Sequence, residues 1–116
     1  MSFLSHLVSA VRPPSVPEIS VAEVAASGDW QIVDVREPAE WQSGTIGDAH
    51  LIPLSRLAMQ HGTLDASRPT VVVCRSGNRS KAGTSVLQSA GFTDVRSMAG
   101  GMITWTQAKL PTVRNR

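Results

Sequence analysis

Cysteine is nearly absent from this sequence of 116 residues, which contains only Cys74. One cysteine forms no internal disulfide bond, and a thioredoxin-type redox site would need a second cysteine in a C-x-x-C motif. Because disulfide-stabilised proteins belong to oxidising compartments, the sequence favours a reducing, cytoplasmic setting. No apolar run approaches the roughly 20 residues that span a bilayer, and the first residues lack the basic start of a signal peptide. We therefore expect a cytoplasmic protein without a membrane partner.

Charged residues are few and unevenly distributed, with a formal net charge of +2. Residues 1–67 contain eight acids and three arginines, whereas residues 68–116 contain eight lysines or arginines and Asp94 as the single acid. A nucleic-acid-binding arm can cause such asymmetry, but basic clusters with interleaved aromatic residues are absent. We therefore expect no nucleic-acid partner. In a compact chain the two halves interleave, so their opposite charges mix in space. We still expect a local positive potential near Cys74, which lies in the basic half.

The length fits a single domain, in which short β-forming runs alternate with helical patterns. Strands are predicted at Ile19 and over residues 30–34, 49–52, 70–74 and 92–97. Helices are predicted over residues 20–26, 37–43, 54–61, 80–90 and 102–108, the fourth with Ala82, Val86, Leu87 and Ala90 on one face. This alternation predicts an α/β fold with a mainly parallel central sheet and helices on both faces. Residues 1–17, with three prolines, are predicted to form an N-terminal arm, and residues 111–116 a basic C-terminal tail.

The single cysteine stands where the apolar strand ends and a helical pattern begins at Ser80. Parallel α/β sheets bind ligands beyond the carboxyl ends of their strands, where helix N-termini favour anions. The intervening residues are Arg75, Ser76, Gly77, Asn78 and Arg79. Small polar residues around Gly77 allow the backbone N–H groups to turn inward as an anion-binding nest. We therefore predict that Cys74 is a nucleophilic thiolate and that residues 75–80 surround its substrate.

Two arginines of this loop have alternative roles. Each guanidinium can bind an oxyanion directly, in the bidentate manner that arginine favours. Arg79 can instead hold the loop in place by bonding to carbonyl groups or to an acid such as Asp34 or Glu37. Arg75 can remain solvated at the rim of the site. The sequence leaves these alternatives open.

Other cysteine chemistries have little support in the sequence. His6, His50 and His61 have no spacing that would join Cys74 into a zinc site, so no metal is predicted. A papain-type pair with His50 or His61 stays open, although no local motif indicates either histidine. An inert, packed cysteine would be followed by apolar residues rather than by a polar loop with a central glycine.

The loop over residues 74–80 resembles the active-site loop of single-domain, rhodanese-like sulfurtransferases. The resemblance covers about residues 18–109 and predicts a rhodanese-like domain over residues 18–110. It rests on residues 34–37, Trp41, residues 44–46, Ala49, residues 52–54, residues 71–74, Gly100, Gly101 and Trp105, in the family's order and spacing. Thr45 replaces the family's usual histidine, and Gly47 and Asp48 replace its Pro-Gly step. Both departures lie outside the cysteine loop.

The resemblance implies a thiosulfate sulfurtransferase that works through a persulfide, with neither metal nor organic cofactor. Cys74 would take the outer sulfur of a small anion and pass it to cyanide, a thiol or a protein acceptor. Arg75, Ser76, Gly77, Asn78, Arg79 and Ser80 would bind that substrate. Open alternatives are a persulfide carrier or binding module that docks to a partner protein, and a cysteine-dependent phosphatase or arsenate reductase. The phosphatase pattern Cys-x5-Arg is one residue longer than the interval from Cys74 to Arg79, which favours sulfur transfer.

Overall fold

The structure is a computed structural model that describes residues 15–114 of the chain. Its five strands form one sheet with parallel neighbours throughout, in the order β1-β5-β4-β2-β3. They are β1 (Glu18–Ile19), β2 (Gln31–Asp34), β3 (His50–Leu51), β4 (Thr70–Val73) and β5 (Val95–Met98). The predicted parallel α/β sheet is confirmed. The strand that leads into Cys74, β4, is the central one.

The helices that connect these strands lie on both faces of the sheet. They are α1 (Val21–Ala25), α2 (Pro38–Trp41), α3 (Leu54–Gln60), α4 (Arg79–Ser89) and α5 (Gly101–Gln107), with a short 3-10 helix at His61–Thr63. Ser20 accepts the N–H of Glu23 and so completes the predicted capping box of α1. Within residues 15–114, the helices lack the combination of length and apolarity that crossing a bilayer would require.

The valines of β4 divide the core into two layers, because successive side chains of a strand point to opposite faces. Val72 packs with residues of α3 and α4, including Leu57 and Leu87. Val71 and Val73 pack with residues of α1 and α5, including Val24, Met102 and Trp105. All four residues of β4 are fully buried. The central strand is therefore held from both sides, which gives the cysteine that follows it a rigid support.

The face that α4 buries differs from the predicted one. Ser80, Gly83, Thr84 and Leu87 are buried, whereas Ala82 and Ala90 are exposed and Val86 is half-buried. The cause is a close approach of the helix to β4: a Cβ on Gly83 would lie 2.9 Å from Cγ1 of Val72. Such a close approach selects the smallest residue and overrides the apolar pattern on which the prediction rested.

Several predicted elements are shorter in the structure, among them the strand predicted over residues 49–52, which is only His50–Leu51. Phe92 was predicted to begin a strand, but its N–H bonds to the carbonyl of Leu87 behind α4 and its side chain fills the core, so β5 begins at Val95. The helix predicted over residues 37–43 is the single turn Pro38–Trp41. These differences lie at element ends, where local patterns are least decisive.

Most of the predicted N-terminal arm and the last two residues of the tail lie outside the described residues. The described part of each terminal segment contacts the domain. The N–H of Ser97 bonds to the carbonyl of Pro17 at 2.9 Å. In the tail, the carbonyl of Pro111 accepts a hydrogen bond from Nε1 of Trp105 at 2.9 Å. Val113, also in the tail, forms an antiparallel bridge with Thr45. The predicted domain limits at residues 18 and 110 stay a prediction.

Candidate active site

Cys74 follows β4 directly and lies at the carboxyl edge of the central strand, where the sequence placed it. The first turn of α5 holds the cysteine loop from one side. Met102 donates its N–H to the carbonyl of Cys74 at 2.8 Å, and Ile103 donates to that of Arg75 at 3.0 Å. On the other side the loop runs into α4, whose N-cap is Asn78. Two helices and the central strand therefore define the path of residues 74–78.

Gly77 and Ser80 are two of the residues that contact the sulfur of Cys74. The backbone N–H of Gly77 donates to Sγ at 3.1 Å, and Oγ of Ser80 lies 3.4 Å from Sγ. Gly77 reaches this position with a φ of 103°, a conformation that favours glycine. The predicted inward turn of the loop is therefore observed around the cysteine itself.

The environment of the thiol favours its ionised form. Burial is the largest single influence and raises the pKa of Cys74. Hydrogen bonds from the side chain and backbone of Ser80, and from the N–H groups of Gly77 and Ser76, act in the opposite direction. Together they outweigh burial, so the pKa of Cys74 lies below its ordinary value of 9.0. A lowered pKa increases the fraction of thiolate, the form that attacks electrophilic sulfur.

The loop is closely packed against the turn before α5. Gly101 has a φ of 58°, and a Cβ there would lie 2.5 Å from the carbonyl oxygen of Cys74. A Cβ on Gly77 would lie 3.2 Å from the backbone nitrogen of Gly100. Gly77 and Gly101 therefore allow two backbone segments to approach each other, and so keep the loop in register with α5.

The guanidinium of Arg79 is engaged by a carboxylate. Its Nη1 and Nη2 bond to the two carboxylate oxygens of Glu40 at 2.6 and 2.9 Å. This pair lowers the pKa of Glu40 to about 2. The structural role that the sequence left open for Arg79 is thus the observed one, but Asp34 and Glu37 were the wrong partners. Glu40 reaches Arg79 because α2 turns this side chain toward the first turn of α4.

A buried ion pair supports the neighbouring strand end. Arg36 Nη2 lies 2.7 Å from Oδ2 of Asp34, and both side chains are almost fully buried. Arg36 also donates to the carbonyls of Glu40 and Gly44, and Thr45 donates its hydroxyl to Asp34 at 2.9 Å. Asp34 therefore has several donors, as a buried carboxylate requires. The pair fixes the segment that carries α2 and Glu40.

The other predicted substrate-binding residues, Arg75, Ser76 and Asn78, belong to the loop itself, and their side chains do not contact Sγ. Arg75, Ser76 and Asn78 are exposed. Arg75 also lines a groove of about 210 Å³, together with Arg36, Glu40, Ser43, Gly44, Met102, Ile103 and Thr106. Arg75 thus lies at the rim of the site, and the groove extends the site along α5.

The two histidines among residues 15–114 are His50 and His61. Within residues 15–114, no group of three or more His, Cys, Asp or Glu side chains is arranged to hold a metal ion. His61 packs edge-on against Phe92, and His50 lies in β3 opposite Val33. His6 lies outside the described residues.

Two residues of the candidate site, Ser97 and Glu40, were not predicted from the sequence. Ser97 of β5 places its Oγ 2.7 Å from that of Ser80, and Glu40 is the partner of Arg79. The sequence contained no signal for Ser97 beyond a small polar residue at the end of the predicted strand, next to Arg96. Glu40 had no signal that set it apart from the other acids nearby.

Fold and site together define an α/β protein with a cysteine of lowered pKa at the carboxyl edge of a parallel sheet. The family profile of the rhodanese-like domain matches residues 20–108. The chain belongs to the rhodanese-like domain family, which includes sulfurtransferases.

Relatives and a solved structure agree with this assignment. A sulfurtransferase of Allochromatium vinosum is 34% identical over 90 residues, which are 78% of this chain and 84% of that protein. The thiosulfate sulfurtransferase GlpE of Pseudomonas fluorescens is 45% identical over 75 residues, 64% of this chain and 68% of that protein. The crystal structure of a rhodanese-related protein from Thermoplasma volcanium superposes with a TM-score of 0.81 at 29% identity, covering 85% of this chain and 99% of that one. The chain spans only 48% and 21% of the length of two further relatives.

Proposed function

We propose that this protein transfers a sulfane sulfur from a small anionic donor, such as thiosulfate, to a thiophilic acceptor through a persulfide on Cys74. The observation that carries the proposal is the contact of Sγ with the N–H of Gly77 and the hydroxyl of Ser80, which together favour the thiolate. The similarity to a thiosulfate sulfurtransferase supports the choice of donor.

The reaction has two displacement steps. In sulfur uptake the Cys74 thiolate attacks the outer sulfur of thiosulfate, and the donor's S–S bond breaks with its electron pair leaving on sulfite. N–H groups of the loop and the N-terminus of α4 stabilise the charge that then resides on the outer sulfur of the persulfide. In sulfur delivery the acceptor attacks that outer sulfur, and the electron pair of the Cys74–sulfur bond returns to Sγ. Separate half-reactions of this kind produce ping-pong kinetics.

The exposed loop residues are the ones that meet the donor first in this proposal. Arg75 is the exposed cation next to the nucleophile, and Ser76 and Asn78 flank the same opening. Cys74 itself is fully buried. A donor that presents one terminal sulfur atom displaces the loop less than a phosphate ester with its bulky tetrahedral group.

Phosphate chemistry is the rival function, and two observations disfavour it. The interval from Cys74 to Arg79 is one residue shorter than the Cys-x5-Arg pattern. In addition, the guanidinium of Arg79 is held by Glu40 and is not free to bind a phosphate above the sulfur. A persulfide carrier that delivers sulfur to a partner protein uses the same first step, so it differs from the proposed enzyme only in its acceptor.

An intact-mass measurement tests the proposal. The purified protein is incubated with thiosulfate and desalted, and its intact mass is measured by mass spectrometry. The mass is measured again after cyanide is added. We expect the gain of one sulfur atom, its loss with cyanide and the release of thiocyanate, and none of these with Cys74→Ser. Failure to gain sulfur from thiosulfate or another persulfide donor, together with hydrolysis of an aryl phosphate, would replace sulfur transfer by phosphatase activity.

A further inference from the structure

Ser97 is a buried polar residue that the two displacement steps do not use. It lies in β5, and its side chain has no accessible surface. Its Oγ is 2.7 Å from Oγ of Ser80, which is itself fully buried and 3.4 Å from Sγ of Cys74. A chain of three groups therefore runs from the reactive sulfur into the sheet.

The number of available protons determines the direction of these hydrogen bonds when Cys74 is ionised. Each serine hydroxyl has one proton and two lone pairs. A thiolate has no proton, so Ser80 has to donate its own proton to Sγ. The short contact between the two serines then requires Ser97 to donate and Ser80 to accept. In the thiolate state the protons point one way, from Ser97 to Ser80 to Cys74.

We propose that Ser97 is a positioning residue, which strengthens the hydrogen bond from Ser80 to the Cys74 thiolate by donating its own proton to Ser80. A hydroxyl group that accepts a hydrogen bond becomes a better donor. The improved donor gains more from a charged acceptor than from a neutral one. Ser97 therefore stabilises the thiolate more than the thiol, and it acts on Cys74 only through Ser80.

The kinetic consequence of this arrangement rests on the proposed function. In sulfur delivery Cys74 is the leaving group, and a thiolate of lower pKa leaves faster. In sulfur uptake Cys74 is the nucleophile, and a lower pKa makes the ionised sulfur a weaker nucleophile. At a pH where Cys74 is fully ionised, Ser97 should thus accelerate delivery and slow uptake.

Charged groups at the same edge of the sheet also influence the thiol, and a change at Ser97 leaves them in place. Arg79 interacts electrostatically with Cys74 while paired with Glu40. The other charged side chains on the elements around the loop are Asp34, Arg36, Glu37, Arg75 and Lys81. Arg96, the neighbour of Ser97 in β5, is paired with Asp94 and lies over the ring of Trp30. Removing the hydroxyl of Ser97 therefore tests the hydrogen-bond chain separately from these charges.

The first experiment titrates Cys74 without any sulfur donor, by the ultraviolet absorbance of the thiolate with Cys74→Ser as the blank. Ser97→Ala should raise the pKa of Cys74 by about half a unit to one unit. Ser80→Ala should raise it further, and adding Ser97→Ala to that variant should change nothing more, because Ser97 acts through Ser80. The matched control is Thr84→Val, which removes another buried hydroxyl of α4 that bonds to the carbonyl of Ser80 at 2.8 Å but does not contact the sulfur. We expect no shift in this control.

The second experiment measures the two half-reactions at a pH where the thiol of each variant is ionised. Ser97→Ala should take up sulfur from thiosulfate about two- to threefold faster and deliver it to cyanide slower by a similar factor. If Ser97→Ala acted only by loosening the packing of the core, both half-reactions would become slower. The control Thr84→Val would then show the same slowing.

The outcomes separate this proposal from the proposed function. An unchanged pKa in Ser97→Ala, an equal shift in Thr84→Val, or a shift that persists in the Ser80→Ala background would overturn the role of Ser97 even if the persulfide forms normally. Conversely, the expected pKa shifts in a protein that takes up no sulfur would support the role of Ser97 while the proposed function fails.

Discussion

Arg79 and Glu40 form a bidentate ion pair that joins the helix behind the cysteine loop to the single turn after β2, with nitrogen–oxygen distances of 2.6 and 2.9 Å. Glu40 also accepts the N–H of Glu37 at 3.0 Å. The pair therefore connects two of the segments that meet at the carboxyl edge of the sheet. It engages the guanidinium of Arg79, the arginine at the end of the cysteine loop.

Glu40→Gln should reduce stability in a pH-dependent way. The folded-state pKa of Glu40 is about 2, below the ordinary value of 4.5, so its contribution is complete above pH 4.5 and is lost as the pH falls through about 2. The side chain of Arg79 is 37% exposed, so solvent screens the ion pair. We therefore expect Glu40→Gln to lower the unfolding free energy by about 1–2 kcal/mol at neutral pH. Urea unfolding of the wild type and of Glu40→Gln at a series of pH values measures this difference in unfolding free energy.

The exposed pair of Asp94 and Arg96 provides the control for this measurement. Asp94→Asn should change the unfolding free energy by less than about 0.5 kcal/mol. Equal losses in Glu40→Gln and Asp94→Asn would show that the pair with Arg79 has no special role.

Ionisation of Cys74 should make the folded protein more stable as the pH rises. Its pKa is lowered in the folded state, so between that value and the unfolded value near 9.0 the unfolded chain binds more protons. The contribution is complete above the unfolded pKa and disappears as the pH falls through the folded pKa. Unfolding free energies of the wild type and Cys74→Ser, compared over this range, should diverge with rising pH. Parallel curves would contradict the lowered pKa.

Thr45→Val should destabilise the protein although the side chain keeps its shape. Thr45 is fully buried, and its hydroxyl bonds to the carboxylate of Asp34 at 2.9 Å. A lost hydrogen bond to a charged group costs about 1–3 kcal/mol, measurable as a lower urea midpoint with an unchanged slope. Thr63→Val, at an exposed hydroxyl, should stay within about 0.5 kcal/mol of the wild type. A midpoint for Thr45→Val as high as that of the control would mean that Asp34 does not need this donor.

Gly101→Ala should disturb the active-site loop more than its backbone conformation alone explains. Its Cβ would lie 2.5 Å from the carbonyl oxygen of Cys74, so the loop or α5 has to move. Gly91→Ala is the matched control, because Gly91 also has a positive φ, of 99°, but an added Cβ meets no atom within 4 Å. We expect a cost of about 1–2 kcal/mol for the control and a larger one, with a raised pKa of Cys74, for Gly101→Ala. Similar stabilities and thiol titrations in the two variants would exclude this contact as a constraint.

The sequence predicted the elements whose signals are local. The capping box at Ser20 and Glu23 starts α1 as expected, and the valine run of β4 ends at Cys74 as expected. The buried face of α4 was predicted wrongly, because the pattern of apolar residues contains no information on how closely a helix approaches a strand. That distance depends on Gly83 meeting Val72, which only the packed structure reveals.

The sequence by itself determined the position of the proposed nucleophile: one cysteine, at a change from strand to helix, followed by a polar loop with a central glycine. Strand propensity, helix initiation and glycine conformation depend on neighbours in the chain, and so they can be read from the sequence. The tertiary structure alone decided that Ser97 supports Ser80 and that Glu40, 39 positions away, holds Arg79. Those contacts depend on the order of strands in the sheet and on the turn of α2, because hydrogen bonds select partners by distance in space and not along the chain.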